Sequence, residues 1–187
     1  MTASDEELVR RHLAGDRDAF PELLRRHELR VYNIALRMTG RPEDALDATQ
    51  EAFLSVWRRL GSFRGDAKFS TWLHRIAVNA ANDLLRKRSR TPVPAEETIE
   101  ALAERPGSGD VAGDVAFEED VRRALQEVPE EHRAVLVLHD VHDLDFDEIA
   151  AVLGIPSGTA KSRLHRGRLA LARALGEPSA RREASNP

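Results

Sequence analysis

The chain contains no cysteine, which excludes a disulfide framework, a thiol nucleophile and any cysteine metal site. Aromatic residues make up only 5% of it, and the strict apolar–polar alternation of a half-buried strand is absent. Ala, Leu, Arg and Glu dominate instead, and these residues favour helix throughout. An all-α fold is therefore expected. No apolar run approaches membrane-spanning length, and the first residues lack the apolar core of a signal peptide; a cytoplasmic location is the default expectation. A net charge of −4 over 187 residues argues against a generic polyanion binder. The charge is segregated along the chain, however, and the segregation is informative.

Residues 144–175, LDFDEIAAVLGIPSGTAKSRLHRGRLALARAL, hold the clearest pattern. Ile149, Ala150, Val152 and Leu153 give a short helix one apolar face, led in by Asp145 and Asp147 at its positive end. Gly154 closes that helix and Pro156-Ser157 opens a longer one, with Ser157 placed to cap a free backbone N–H. A short helix, a glycine-containing turn and a second helix make a helix-turn-helix. On the second helix, Ala160, Leu164, Gly167 and Leu171 fall on one side. Lys161, Ser162, His165 and Arg166 fall on the other, with Arg163 at the boundary. No acid lies between Glu148 and Glu177. A cationic face without its own counter-charges suits DNA phosphates and base edges.

Upstream, helices are expected over residues 5–13, from Asp16 or Asp18 to about Met38, and from Pro42 to Leu60, with Gly15, Gly40 and Gly61 as stops. In the third, Ala45, Thr49, Ala52, Phe53, Val56, Trp57 and Leu60 form the apolar side. Asp47, Gln50, Glu51, Leu54 and Arg58 form a second stripe. Periodicity leaves two readings of that stripe open: a protein-contact surface, or a solvated face with one stray leucine. Residues 61–90 carry seven cations against two acids; a glycine-rich loop precedes a helix capped by Ser70 that ends in Arg86, Lys87, Arg88 and Arg90. Cations beside Phe63, Phe69 and Trp72 suit single-stranded nucleic acid, although such aromatics are by default core residues.

Residues 91–116 are rich in proline, glycine and acid and read as a tether. Nine acids face one arginine between residues 96 and 120, a stretch that either solubilises the tether or imitates nucleic acid in a partner's basic channel. A second domain is expected over residues 117–176, with helices from Glu118 to Val128 and from Pro129 to about Val141, and a frayed tail over 177–187. The first domain then spans residues 1–90.

Three motifs in this order, DALDATQEAFLSVWRRL (44–60), FRGDAKFSTWLHRIAVNAANDLLR (63–86) and VPEEHRAVLVLHDVHDLDFDEIAAVLGIPSGTAKSRLHRGR (128–168), resemble the extracytoplasmic-function sigma factors of the bacterial sigma-70 family. The resemblance implies two helical domains, region two and region four, no enzymatic activity, no cofactor, no metal and no small-molecule substrate. It implies core RNA polymerase, promoter DNA and an anti-sigma factor as partners. Asp47, Gln50, Glu51, Leu54 and Arg58 would meet the clamp coiled coil of the beta-prime subunit, and region four the beta flap. Phe63, Arg64, Lys68, Phe69, Trp72, Arg75 and Asn79 would hold and read the melted minus-10 strand. His139, Ser157, Thr159, Lys161, Ser162, Arg163, His165 and Arg166 would contact the minus-35 duplex. The acidic tether would run toward the RNA-exit channel. His139 stands where some members carry arginine, and Ala160 and Gly167 replace the usual valine and alanine, which is expected to loosen the recognition helix's inner face.

Two other functions fit parts of the chain. A free-standing helix-turn-helix regulator explains residues 144–175 but leaves the stripe and the basic loop unused. A metal-dependent hydrolase would use His139 and His142 with Asp140, Asp143, Asp145 and Asp147, yet these acids are more economically explained as helix capping.

Overall fold

The computed structural model describes residues 3–90 and 111–176, all-α with no strand among them. The tether from residue 91 to 110 and the tail from 177 lie outside the described residues. The first module holds α1 (Asp5–Leu13), α2 (Ala19–Thr39), α3 (Pro42–Arg59), a 3-10 turn (Leu60–Ser62) and α4 (Phe69–Arg90). The second holds α5 (Val111–Glu127), α6 (Glu130–Leu136), a π turn (Val137–Val141), α7 (Phe146–Leu153) and α8 (Ser157–Gly176).

In the first module α2, α3 and α4 pack on one another, with α1 against α2. Their contact is built from small residues, Ala45, Ala48 and Ala52 of α3 and Ala77, Ala80 and Ala81 of α4, filled in by Leu23, Ile34, Met38, Val56 and Leu73. Small side chains at these positions let the helix axes approach closely. Ser4 caps α1 by accepting from the Glu7 N–H at 3.2 Å. Asp16, rather than Asp18, supplies the side-chain bond ahead of α2, accepting from the Asp18 N–H at 2.9 Å.

Several local expectations change. Helix α4 begins at Phe69, so Ser70 lies in its first turn and is not the cap. Helix α5 begins at Val111, within the stretch read as tether, and Gly113 is helical; one glycine costs a helix only about 1 kcal/mol. Ser157 is the first residue of α8, and its hydroxyl donates to the Asp147 carboxylate at 2.6 Å, tying α8 to α7. Gly167 tightens the recognition helix where loosening was expected. A Cβ there would lie 3.2 Å from the His132 carbonyl oxygen and 3.3 Å from Leu136, so glycine brings α8 close against α6.

The modules are docked, and one continuous core runs through both. Each satisfies the other's helix ends. Helix α2 stops at Gly40 (φ 77), leaving last-turn carbonyls without helical partners. Arg122 donates to the Gly40 carbonyl at 3.1 Å, and Gln126 to that of Arg37 at 3.2 Å. Buried Arg133 donates to the Met38 carbonyl, to Gln126 Oε1 at 2.6 Å and to the Val128 carbonyl at 3.0 Å. Burial lowers the Arg133 pKa against the opposing charges of Glu130 and Glu127, and the acceptors satisfy its guanidinium N–H groups. Gly40 is required twice, by its left-handed backbone and because a Cβ would lie 2.5 Å from the Gln126 side chain. Gly40→Ala is expected to cost on the order of 1–3 kcal/mol and to lower the urea midpoint; an unchanged midpoint contradicts this role.

Candidate nucleic-acid interface

The recognition helix shows the division its spacing predicts. Ala160, Leu164 and Gly167 are buried, while Lys161, Ser162, His165 and Arg166 are exposed and Arg163 is half-buried. Helix α7 is held at the angle this requires by a capping box. Asp145 Oδ1 accepts from the Asp147 and Glu148 N–H groups at 2.9 and 2.8 Å, and Glu148 accepts from the Asp145 N–H at 3.2 Å. Gly154 (φ 67) ends the helix. Asp145 thus caps α7, Asp147 ties it to α8 and Asp140 pairs with Arg168 of α8, while His142 turns inward to the docking interface.

Not every cation of α8 is free. Arg163 pairs with Glu131 at 2.5 Å, and Arg168 with Asp140 at 2.5 Å. Asp140 also receives His139 Nδ1 at 2.7 Å, and the Arg168 hydrogen bond, followed by that of His139, holds its carboxyl below the usual range. His139 is half-buried, with its ring 5.0 Å from Phe146. Lys161 Nζ lies 5.5 Å from the Phe146 ring centroid, and among the described residues neither Lys161 nor Arg166 is ion-paired with a carboxylate. Ser157 and Thr159 are half-buried at the turn.

In the first module, Phe63, Phe69 and Trp72 form one aromatic cluster with ring separations of 5.4 to 5.8 Å. Phe69 is 1% exposed and also meets His27. It is therefore the buttress under Phe63 and Trp72, not a surface that a base could reach. Beside these two half-buried rings is a pocket of about 270 Å³ lined by Ser62, Arg64, Gly65, Asp66, Thr71, Trp72, Arg75 and, from the other module, Ala151. Asn79 is exposed on α4, beyond the pocket lining. Arg64 is exposed and lies 3.3 Å from Asp66.

Two cations of this surface are engaged by the second module. Lys68 Nζ lies 3.0 Å from Glu148, which raises the lysine's pKa by hydrogen bonding and then by charge. Arg75 Nε donates to the Val152 carbonyl at 3.1 Å, and its terminal nitrogen to that of Ala151. Both acceptors lie in the last turn of α7, the negative end of that helix. Sequence periodicity could not show this, because it identifies a buried face and not its occupant.

On α3 the stripe Asp47, Gln50, Glu51, Leu54 and Arg58 is exposed. Trp57, expected on the inner side, is 55% exposed, with its other side against His12 and Phe20 at 5.0 and 4.9 Å. Leu46, missed in the sequence, is 53% exposed and Leu54 49%. The stripe is thus more apolar than its spacing indicated, and Leu46 and Trp57 extend it at helical intervals.

These features define a two-module, all-helical protein with a helix-turn-helix and a separate aromatic pocket. Comparison with known proteins agrees. Residues 23–91 match the Sigma-70 region 2 family model and residues 118–171 the Sigma-70, region 4 model. The chain is 45% identical over 174 residues to the ECF RNA polymerase sigma factor SigM of Mycobacterium tuberculosis (strain ATCC 25618 / H37Rv), across 92% of this chain and 85% of that protein. It is 35% identical to the ECF RNA polymerase sigma-E factor of Escherichia coli (strain K12), across 90% of this chain and 92% of that one. The structure of CnrH in complex with the cytosolic domain of CnrY is similar with a TM-score of 0.71 at 25% identity, covering 95% of this chain and all of that one. The sigma factor RpoE of Bartonella quintana, solved with the anti-sigma factor NepR, is similar with a TM-score of 0.66 at 25% identity, covering 85% of this chain and 98% of that one. The chain belongs to the extracytoplasmic-function sigma factors of the sigma-70 family, transcription initiation factors and not enzymes. No helix among the described residues is long and apolar enough to cross a membrane.

Arg75 both lines the aromatic pocket and reaches across to the second module. Arg75→Ala is expected to leave the α7 carbonyls unsatisfied and to loosen docking, seen as faster amide exchange in α7 at constant helix content. Exchange identical to the unsubstituted chain would show the contact to be dispensable.

Proposed function

We propose that this chain, acting in the cytoplasm, binds core RNA polymerase and directs it to promoters through two separate readings of DNA. The exposed α8 face, Lys161, Ser162, His165 and Arg166, reads the minus-35 element as duplex. The pocket under Phe63 and Trp72, with Arg64, Lys68, Arg75 and Asn79 around it, holds a base of the melted minus-10 strand. Extruding a base costs a few kcal/mol, which stacking and edge hydrogen bonds return. No nucleotide hydrolysis by this chain is needed. The observation that carries the reading is the outward α8 face, whose Lys161 and Arg166 have no carboxylate partner among the described residues.

The functional units are residues 1–90 for polymerase binding and minus-10 reading, and the second module from Val111 to Gly176 for minus-35 reading, with 91–110 as the connection and 177–187 as tail. The α3 stripe, enlarged by Leu46 and Trp57, suits the clamp coiled coil of the beta-prime subunit, and the second module suits the beta flap. An anti-sigma partner is supported by the company of the similar structures, CnrH with CnrY and RpoE with NepR. A stand-alone helix-turn-helix regulator would leave three exposed apolar side chains on α3 without purpose.

Run-off transcription with core polymerase on a promoter library tests the reading: the chain is expected to give defined starts, and duplex binding without any core association would contradict it. Within that assay Gln50→Ala with Leu54→Ala is expected to weaken core binding at unchanged thermal stability; unchanged affinity rejects the stripe. Arg166→Ala is expected to cost about 1–3 kcal/mol in binding the upstream element if it reads a base. Equal loss on every sequence would leave it only a phosphate contact.

A further inference from the structure

Where the modules meet, the α4 helix and the end of the π turn bring two histidines face to face. The rings of His74 and His142 are 6.0 Å apart and tilted by 43°. They are 2% and 9% exposed. Both ring nitrogens of His74 and Nε2 of His142 lack a hydrogen-bond partner. Two leucines would fill the same space without burying unmet polar atoms, so packing does not account for histidine at both positions.

The surroundings are cationic. From α2, Arg30, Arg37 and His27 face the pair, and His27 is itself held by Asp5 at 2.7 Å. From α6, Arg133 reaches into the same interface. Next to His74, Arg75 is turned to the α7 carbonyls; of the α7 acids, Glu148 is paired with Lys68 and Asp147 accepts from Ser157. Asp143, exposed and adjacent to His142, is the acid that favours its charge.

We propose that His74 and His142 form a proton-operated latch, which keeps the modules docked while both rings are neutral and releases them when protons are taken up. Burial, then the charges of the partner histidine and Arg30, lowers His74 to about 3. Burial, then Arg30 and Arg37, lowers His142 to about 4. Undocking returns water to both rings, and their affinity for protons rises toward that of ordinary histidine, near 6.5. The open form therefore binds more protons than the docked form. Docking is at full strength above about pH 6.5 and weakens as the pH falls below it. At pH 5.5 each ring shifts the equilibrium toward the open form by about tenfold. Opening would uncover the pocket that Ala151 walls and release Arg75 and Lys68. That consequence rests on the function proposed above, whereas the latch itself does not.

The absence of cysteine allows a donor and an acceptor to be placed at Glu28→Cys and Ala172→Cys, both exposed and one on each module. Energy transfer is expected to fall reversibly between pH 7.5 and 5.5 at constant helix content. With His74→Phe and His142→Phe it is expected to stay high at both pH values; if that pair does not dock at pH 7.5, His74→Gln with His142→Gln makes the same comparison. Constant transfer in the unsubstituted chain, or an equal fall without the histidines, overturns the latch. A zinc-dependent rise in transfer at pH 7.5 that a chelator reverses would overturn it too, in favour of a metal clasp. The readout needs neither polymerase nor DNA, so its failure is distinct from failure of the functional reading.

Discussion

A helix ends in carbonyls that its own turns cannot satisfy, and in this chain two such ends are satisfied by the opposite module. Arg122, Gln126 and Arg133 close the end of α2, while Arg75 closes the end of α7. The exchange is reciprocal, and the buried His74–His142 contact also joins the two modules. Hydrogen bonds from charged donors are the stronger kind, and of these donors Arg133 is buried while Arg75 is exposed. Arg133 shows the dependence most clearly. It is buried within α6, and its acceptors come from α2, from Gln126 of α5 and from the turn before its own helix.

Under the proposed function, the docked modules and the DNA draw on a common set of groups. Lys68 and Arg75 belong to the basic surface of the first module, and both are occupied by α7. Ala151 closes one side of the aromatic pocket. The outward face of α8 stays open in the docked form. On that proposal, duplex binding and single-strand reading differ in what they require: the first is compatible with docking, and the second competes with it. A partner that binds the separated modules better than the docked pair shifts the equilibrium by that difference in affinity and by no more.

Much of the local structure was legible in the sequence because helix periodicity and glycine punctuation are local signals. The inner and outer residues of α8, the glycine stops at Gly40 and Gly154 and the exposed α3 stripe all appear where spacing puts them. The errors share a cause. Trp57 has an inward position on the helical wheel but sits at the module's edge, where only His12 and Phe20 cover it. Phe69 lies in a basic loop-helix segment yet supports its neighbours from within. Gly167 weakens helix propensity but permits the close α6–α8 contact. Ser157 ties two helices where a cap was expected. In each case the deciding partner comes from another element, and a one-dimensional pattern carries no record of it. The docking of the modules is the extreme instance, since residues as far apart as Met38 and Arg133 meet there.

Small-angle scattering from the full chain in solution at neutral pH tests the central claim, that mutual helix-end capping holds the two modules together, most directly. A docked chain of this length is expected to show a radius of gyration of about 16–18 Å, rising when Arg75 and Arg133 are both replaced by methionine. A free chain already well above about 20 Å, and unaffected by those replacements, would contradict it.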